Sequence, residues 1–244
     1  MQNKIKEIYT QKLLTKEPAL REDDIQLNFI LRYISKKKNS TILDAGCGNG
    51  NYAFYLSSLG YENIFAVDLF EEINTDKFEY QESSIDTLLF EDASFDFIYS
   101  NSVLYYLDDP KDGIVEFKRV LKDDGILVFT AHTKYSFFTL WRIIKRDIFK
   151  LKEMEHLEGV KFYSGSYYRQ ILEEQGFEIL VEDGYGVSFF LYPFYQKASR
   201  MFEKYFIIKL PRLPAYVNDG LIGKIKSEIS YHSVFVARKR KLLR

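Results

Sequence analysis

Ile42-Leu43-Asp44-Ala45-Gly46-Cys47-Gly48-Asn49-Gly50 is a short apolar run with an acid near its end, closed by three glycines at alternate positions. The run has the length of a buried strand. The glycines open a helix in which Tyr52, Tyr55, Leu56 and Leu59 share one face, with Gly60 placed to end it. A glycine turn between strand and helix lets a ligand come close to the backbone, because glycine has no Cβ and tolerates positive φ. By itself the turn indicates an adenosine cofactor. Its details choose among such cofactors. The dinucleotide fingerprint GxGxxG requires a third glycine where Asn51 stands, and no Gly-Lys-Ser/Thr follows to make a P-loop. Asp44, two residues before the first glycine, is a poor neighbour for a pyrophosphate but suits an ammonium or a sulfonium. S-adenosylmethionine (SAM) carries both charges and no phosphate.

Outward from this stretch, strands and helices alternate. On the amino-terminal side Asp23 to Lys36 reads as an amphipathic helix, capped by Asp23 or Asp24, with Leu27, Ile30, Leu31 and Ile34 on one face. On the carboxyl side, strands are expected at Ile64–Asp68, Phe78–Glu82, Phe95–Ser100 and Ile126–Thr130. Asp109-Pro110 opens a helix whose face is Ile114, Phe117 and Leu121. This alternation implies a doubly wound, parallel α/β sheet, which binds ligands beyond the carboxyl ends of its strands. Asp68 ends the second strand at the distance, about 20 residues past the first glycine, where an acid accepts hydrogen bonds from ribose hydroxyls. Farther on, Ser164 to Gln175 reads as a helix closed by Gly176, followed by strands at Phe177–Val181 and His232–Arg238. Between those strands lies an aromatic helix beginning at Pro193.

Several classes are excluded. One cysteine, Cys47, rules out an internal disulfide and a multi-cysteine metal site, and no metal is expected. A net charge of −1, from 34 basic and 35 acidic residues, argues against a general nucleic-acid binder. The amino terminus has no signal-like apolar core, and no apolar run approaches the roughly 20 residues of a membrane span. A cytoplasmic protein, monomeric or homodimeric, is expected.

Residues 42–50 resemble the first motif of class I SAM-dependent methyltransferases almost position for position. The resemblance continues through Ala66-Val67-Asp68, Asp86 to Phe90, Ser94 to Ser100 and Val120 to Leu127, and points to the broad branch that includes ubiquinone and menaquinone biosynthesis methyltransferases. It implies a Rossmann-like, mostly parallel seven-stranded sheet with an antiparallel last strand and a helical, aromatic-rich cap. Residues 1–40 would form a helical segment covering the cofactor site. Residues 41–244 would form the methyltransferase domain, with 133–170 and 184–230 as acceptor-site insertions. The family pattern assigns the methionine part of SAM (product S-adenosylhomocysteine) to Asp44, Gly46, Cys47, Gly48, Asn49 and Gly50. It assigns the ribose diol to Asp68, adenine to Leu69, Ser84, Ile85 and Asp86, and the amino group's surroundings to Asn101. Ser84 departs from the pattern, which often has an acid there, so Asp86 or the Ile85 backbone would substitute.

Methyl transfer from a sulfonium is an in-line displacement, helped by a base when the acceptor is a hydroxyl or a protonated amine. His132, directly after the Ile126–Thr130 strand, and His156, in a polar loop, are the candidate bases; His232 ranks below them. Tyr105 and Tyr106 are expected to line the pocket. A small-molecule acceptor, aromatic or lipid-like, is expected, with the aromatic stretch 188–210 as its cap or as a contact with a membrane surface. The competing readings are a nicotinamide-dependent oxidoreductase, disfavoured by glycine spacing and Asp44, and a non-catalytic SAM-fold subunit.

Overall fold

The computed structural model describes residues 24–69, 73–151, 154, 157–185 and 221–241. In chain order these form α1 (Ile25–Tyr33), β1 (Thr41–Ala45), α2 (Asn51–Ser58), β2 (Asn63–Asp68), β3 (Glu79–Glu82), β4 (Phe95–Asn101), a 3-10 turn (Leu104–Tyr106), α3 (Pro110–Val120) and β5 (Leu121–His132). Then follow α4 (Phe137–Asp147), α5 (Gly165–Glu174), β6 (Phe177–Tyr185), α6 (Leu221–Ile229) and β7 (His232–Lys239). The helix starts are set by side-chain caps. Asp24 accepts from Leu27 N–H at 2.9 Å, Asp109 from Lys111 N–H at 2.9 Å ahead of Pro110, and Ser164 from Tyr167 N–H at 3.2 Å.

The strands form one seven-stranded sheet in the order β3-β2-β1-β4-β5-β7-β6. Pairs from β3 through β5 are parallel, while β7 runs antiparallel to both β5 and β6. The expected architecture is therefore the one observed. The order reverses between β1 and β4, the switch point at which such sheets open a crevice. Because side chains alternate across a strand, each strand serves two cores. Leu43, Ala45, Ile98, Phe129 and Phe235 pack with α3 and α5 on one face, and Ile42, Tyr99, Val128 and Val236 pack with α1 and α2 on the other.

Two helices were not expected from the sequence. Helix α4 starts from a Ser136 cap on Thr139 N–H, and α6 precedes the last strand; both lie in stretches read only as insertions. Strands β5 and β6 also run longer than the apolar cores that announced them, because β7 pairs with each beyond those cores, to His132 and Tyr185. The helix expected from Pro193, the aromatic stretch 188–210 and His156 lie outside the described residues. No helix among the described residues is long and apolar enough to cross a membrane.

Candidate active site

The loop after β1 is built around glycine. Gly46 N–H and Cys47 N–H both donate to Val67 C=O, at 2.8 and 3.0 Å, which folds the loop back over the end of β2. At Gly46 (φ +81°) a Cβ would lie 2.7 Å from Val103 Cγ1, so the residue is fixed by packing. At Gly48 (φ +56°) a Cβ would meet nothing within 4 Å. The two glycines thus serve different ends: one lets the loop touch the protein, the other leaves room in front of it.

Asp68 holds this loop. One carboxylate oxygen accepts from Gly48 N–H at 2.7 Å and the other from Leu69 N–H at 2.7 Å. Burial raises its pKa to about 6 against the lowering effect of those two amides. Each oxygen keeps acceptor capacity beyond the bond it makes. Leu69 follows on the same edge, and Ser83 N–H donates to Asp68 C=O at 2.9 Å, bringing the Ser84-Ile85-Asp86 turn alongside. The Ile85 side chain is in the core, so only its backbone faces this edge.

Asp44 lies on the α2 face of β1 and is 1% exposed. Desolvation pushes its pKa up to about 8, opposed by the nearby Tyr99 hydroxyl and Ala53 amide and reinforced by Asp68. By hydrogen-bond geometry, however, neither Asp44 Oδ2 nor the Tyr99 hydroxyl has a partner, and both side-chain ends of Asn101 are likewise unmatched. Asp44 registers with Tyr99, so Asn101 sits one side-chain step farther out on the same face of the neighbouring strand. Buried polar groups are normally satisfied. Here a set of unmatched ones gathers on β1 and β4 at the switch point, near the glycine loop. The site fits a small polar cation: a carboxylate and a carboxamide are the partners an amino acid's ammonium group needs. Cys47 is buried with its thiol pKa raised by desolvation, and its Sγ–H points to Gly48 C=O at 3.6 Å, which makes it a packing residue.

Helix α1 closes the face above. Gln26 Nε2 donates to Tyr185 Oη at 2.7 Å and Thr130 Oγ1 at 3.2 Å, while its Oε1 accepts from Tyr52 O–H at 2.6 Å. Sequence reasoning missed Gln26, Tyr99, Thr130 and Tyr185. Each looks like an ordinary polar interruption until the sheet brings it to one face.

At the other end of the same edge, β5 and β7 pair His132 with His232, their rings 4.4 Å apart. Tyr231, Tyr105 and Phe162 surround His132, at 4.3, 4.7 and 6.3 Å between ring centres, and Tyr185 stacks on His232 at 4.7 Å. Arg142 of α4 donates to Tyr231 Oη at 2.9 Å and approaches His132 Nε2 at 3.3 Å. A guanidinium only donates, so Nε2 accepts and the imidazole proton sits on Nδ1. Desolvation, with His232 and Arg142 close by, holds the His132 pKa well below the usual histidine value; desolvation takes His232 to about 3. A cleft of about 490 Å³ continues beyond, between α4 and the 160–164 loop, with Lys134, Arg146, Phe162 and Tyr163 in its wall.

Residues 21–182 match the model of a family described as methyltransferase domain. The chain belongs to the methyltransferase-domain family. Among curated members, it is 26% identical over 160 residues to a malonyl-[acyl-carrier protein] O-methyltransferase of Paenibacillus, covering 59% of this chain and 58% of that one. It is 28% identical to a tRNA U34 carboxymethyltransferase of Vibrio cholerae, over 41% of this chain and 34% of that one. The chain thus spans about half or less of the length of these curated relatives. A SAM-dependent methyltransferase from Thermotoga maritima shares the fold, with a TM-score of 0.61 and 18% identity over 88% of each chain. The family match runs from α1 into β6, and so takes in the glycine loop, Asp68, Asn101 and His132.

Proposed function

We propose that this chain is a class I SAM-dependent methyltransferase that carries a methyl group to a small-molecule acceptor. The reading rests above all on the buried, unmatched carboxylate of Asp44, four residues before a glycine, Gly48, at which a Cβ would meet no atom within 4 Å. In this reading Asp44 and Asn101 hold the ammonium of the methionine part, and the backbone of Gly46 to Gly50, with Cys47 and Asn49, lines it. Asp68 takes the ribose diol with the acceptor capacity its two amide bonds leave over. Leu69 lies against adenine, with the Ser84-Ile85-Asp86 turn at its edge. Helix α1, through Gln26, would cover the site; of the segment 1–40 expected to do so, residues 1–23 lie outside the described residues.

When bound, SAM supplies an electrophilic methyl on a sulfonium. The chain's own contribution is positioning and exclusion of water. The aromatic corner of His132, Tyr105 and Phe162 would receive the acceptor. His132, neutral and protonated at Nδ1, would meet it as a hydrogen-bond donor and becomes a base only if Arg142 releases Nε2; His156 is the other candidate base. The near-neutral charge favours a small acceptor over nucleic acid.

The test is thermal unfolding of the purified chain with SAM, S-adenosylhomocysteine or NAD. A ligand that binds only the folded state raises the melting temperature by mass action. The first two should raise it and NAD should not. Stabilisation by NAD, or by none of the three, would overturn the reading. Labelled-methyl transfer with small aromatic or lipid-like acceptors, an acyl carrier protein and tRNA as separate arms then decides the acceptor class.

A further inference from the structure

Helix α4 turns much of its apolar surface away from the sheet. Leu140, Ile144 and Ile148 recur every fourth residue, Trp141 stands beside them, and Phe149 and Leu151 prolong the stripe past the helix end. Ile148 is 69% exposed, Phe149 56% and Trp141 38%. The rings of Trp141 and Phe149 lie 6.4 Å apart, edge to face, so the exposed side chains form one patch. Single exposed apolar residues are ordinary; a contiguous aromatic and aliphatic patch indicates an interaction surface.

Charge selects the partner. Between positions 134 and 151 stand Lys134, Arg142, Lys145, Arg146 and Lys150 against Asp147 alone, in a chain whose net charge is −1. Arg142 is engaged with Tyr231, and Arg146 with Asp147 and the carbonyls of Leu157 and Val160. Lys134 and Lys150 are exposed at either end of the stripe. An amphipathic helix with Trp, Leu and Ile on one side and lysines at its margins has the composition of helices that lie in the plane of a negatively charged bilayer. The 490 Å³ cleft takes Ile143 and Arg146 from this same helix and Lys134 and Tyr135 from the turn before it, so its wall adjoins the patch.

We propose that α4 and the residues up to Leu151 are a docking face for an anionic lipid surface. The face requires no cofactor and stands apart from the methyl-transfer reading.

Trp141 is the only tryptophan in the chain, so its emission reports on the patch directly. The full chain is mixed with phosphatidylcholine vesicles, with and without phosphatidylglycerol. Expected are a blue shift and co-sedimentation with the phosphatidylglycerol vesicles alone, both reversed by high salt. The double variant Ile148→Glu/Phe149→Glu should bind these vesicles about tenfold more weakly or worse, and its unfolding temperature should match the parent's because both side chains are exposed. Lys134→Glu/Lys150→Glu, which leaves the apolar patch intact, should lose the same binding. The proposal fails if no shift occurs with anionic vesicles at low salt, or if both double variants bind like the parent. It also fails if the blue shift appears without vesicles and grows with protein concentration, since a second copy would then cover the patch. The thermal-shift assay with SAM is read separately, so failure of one reading leaves the other intact.

Discussion

At the β1–β2 corner the polar groups hang on backbone: Asp68 is fixed by two amides of its own neighbourhood, and Asp44 is carried on a strand one turn away. At the β5–β7 corner they hang on one another, through rings drawn from positions 105, 132, 162, 185, 231 and 232 and a guanidinium from 142. The two corners also differ electrically. Burial raises the acids of the first toward their protonated, uncharged forms and lowers the histidines of the second toward their deprotonated, uncharged forms. In each corner desolvation thus favours the uncharged form, but with opposite consequences as pH changes. Both corners keep unmatched buried polar atoms, Asp44 Oδ2 and the Asn101 carboxamide in the first and Nδ1 of both histidines in the second, but only the second is packed round with aromatic rings.

The largest expected effect tests the glycine loop. Gly46→Ala places a methyl against Val103 in a left-handed backbone and should cost about 3 kcal/mol of stability by urea denaturation. Gly48→Ala meets no protein atom and should cost about 1 kcal/mol, while abolishing the thermal shift given by SAM. If both variants lose stability equally, the front of Gly48 is not open space reserved for a ligand.

Next comes the carboxylate that holds the loop. Asp68→Ala removes the acceptor of Gly48 N–H and Leu69 N–H and should weaken SAM binding about 100-fold, roughly 2.7 kcal/mol, by calorimetric titration. Asp68→Asn, which keeps one acceptor oxygen, should weaken it less.

Asp44 tests the electrostatic half of the comparison. Its folded pKa of about 8 lies above the ordinary 3.8, so the unliganded native state holds the proton more tightly than the unfolded chain. Its contribution is fully present below about pH 4 and is lost as pH rises toward 8. Asp44→Asn should therefore flatten the fall in stability between pH 6 and 8, leaving the Asp68 part of the fall between about 4 and 6, and should bind SAM poorly. The histidine corner has the opposite sign: stability there is present above pH 6.5 and is lost as acid forces protons onto His132 and His232. A parent whose stability does not fall between pH 6 and 8 would contradict a protonated, unliganded Asp44.

The first corner could be read in the sequence because its parts are local. Gly46, Gly48 and Asp44 lie within five residues, and Asp68 follows one crossover later, so spacing alone carries the geometry. The second corner could not. Its residues meet only because β7 inserts antiparallel between β5 and β6, and no periodicity in the chain announces which histidines that register pairs. Helix α4 escaped notice for a related reason: its apolar residues do have helical spacing, but they face outward rather than building a core, so the stretch reads as an irregular insertion.

The smallest expected effect asks what His132 does. As a general base it must take a proton on Nε2, but that nitrogen faces the Arg142 guanidinium, and the group's pKa is held well below the ordinary 6.5. As a donor through Nδ1, or as a packing element between Tyr105 and His232, it needs no titration at all. His132→Asn should then lower turnover by about tenfold, roughly 1.4 kcal/mol, the scale of one neutral hydrogen bond, and leave SAM affinity unchanged. The pH–rate profile separates the roles. If His132 is a donor, the variant keeps the parent's profile at a lower level; if it is the base, the acid limb of the profile disappears with the ring. Arg142→Met sharpens the distinction, since removing the guanidinium frees Nε2 and lifts a charge that disfavours the imidazolium, so an acid limb carried by His132 must move to higher pH.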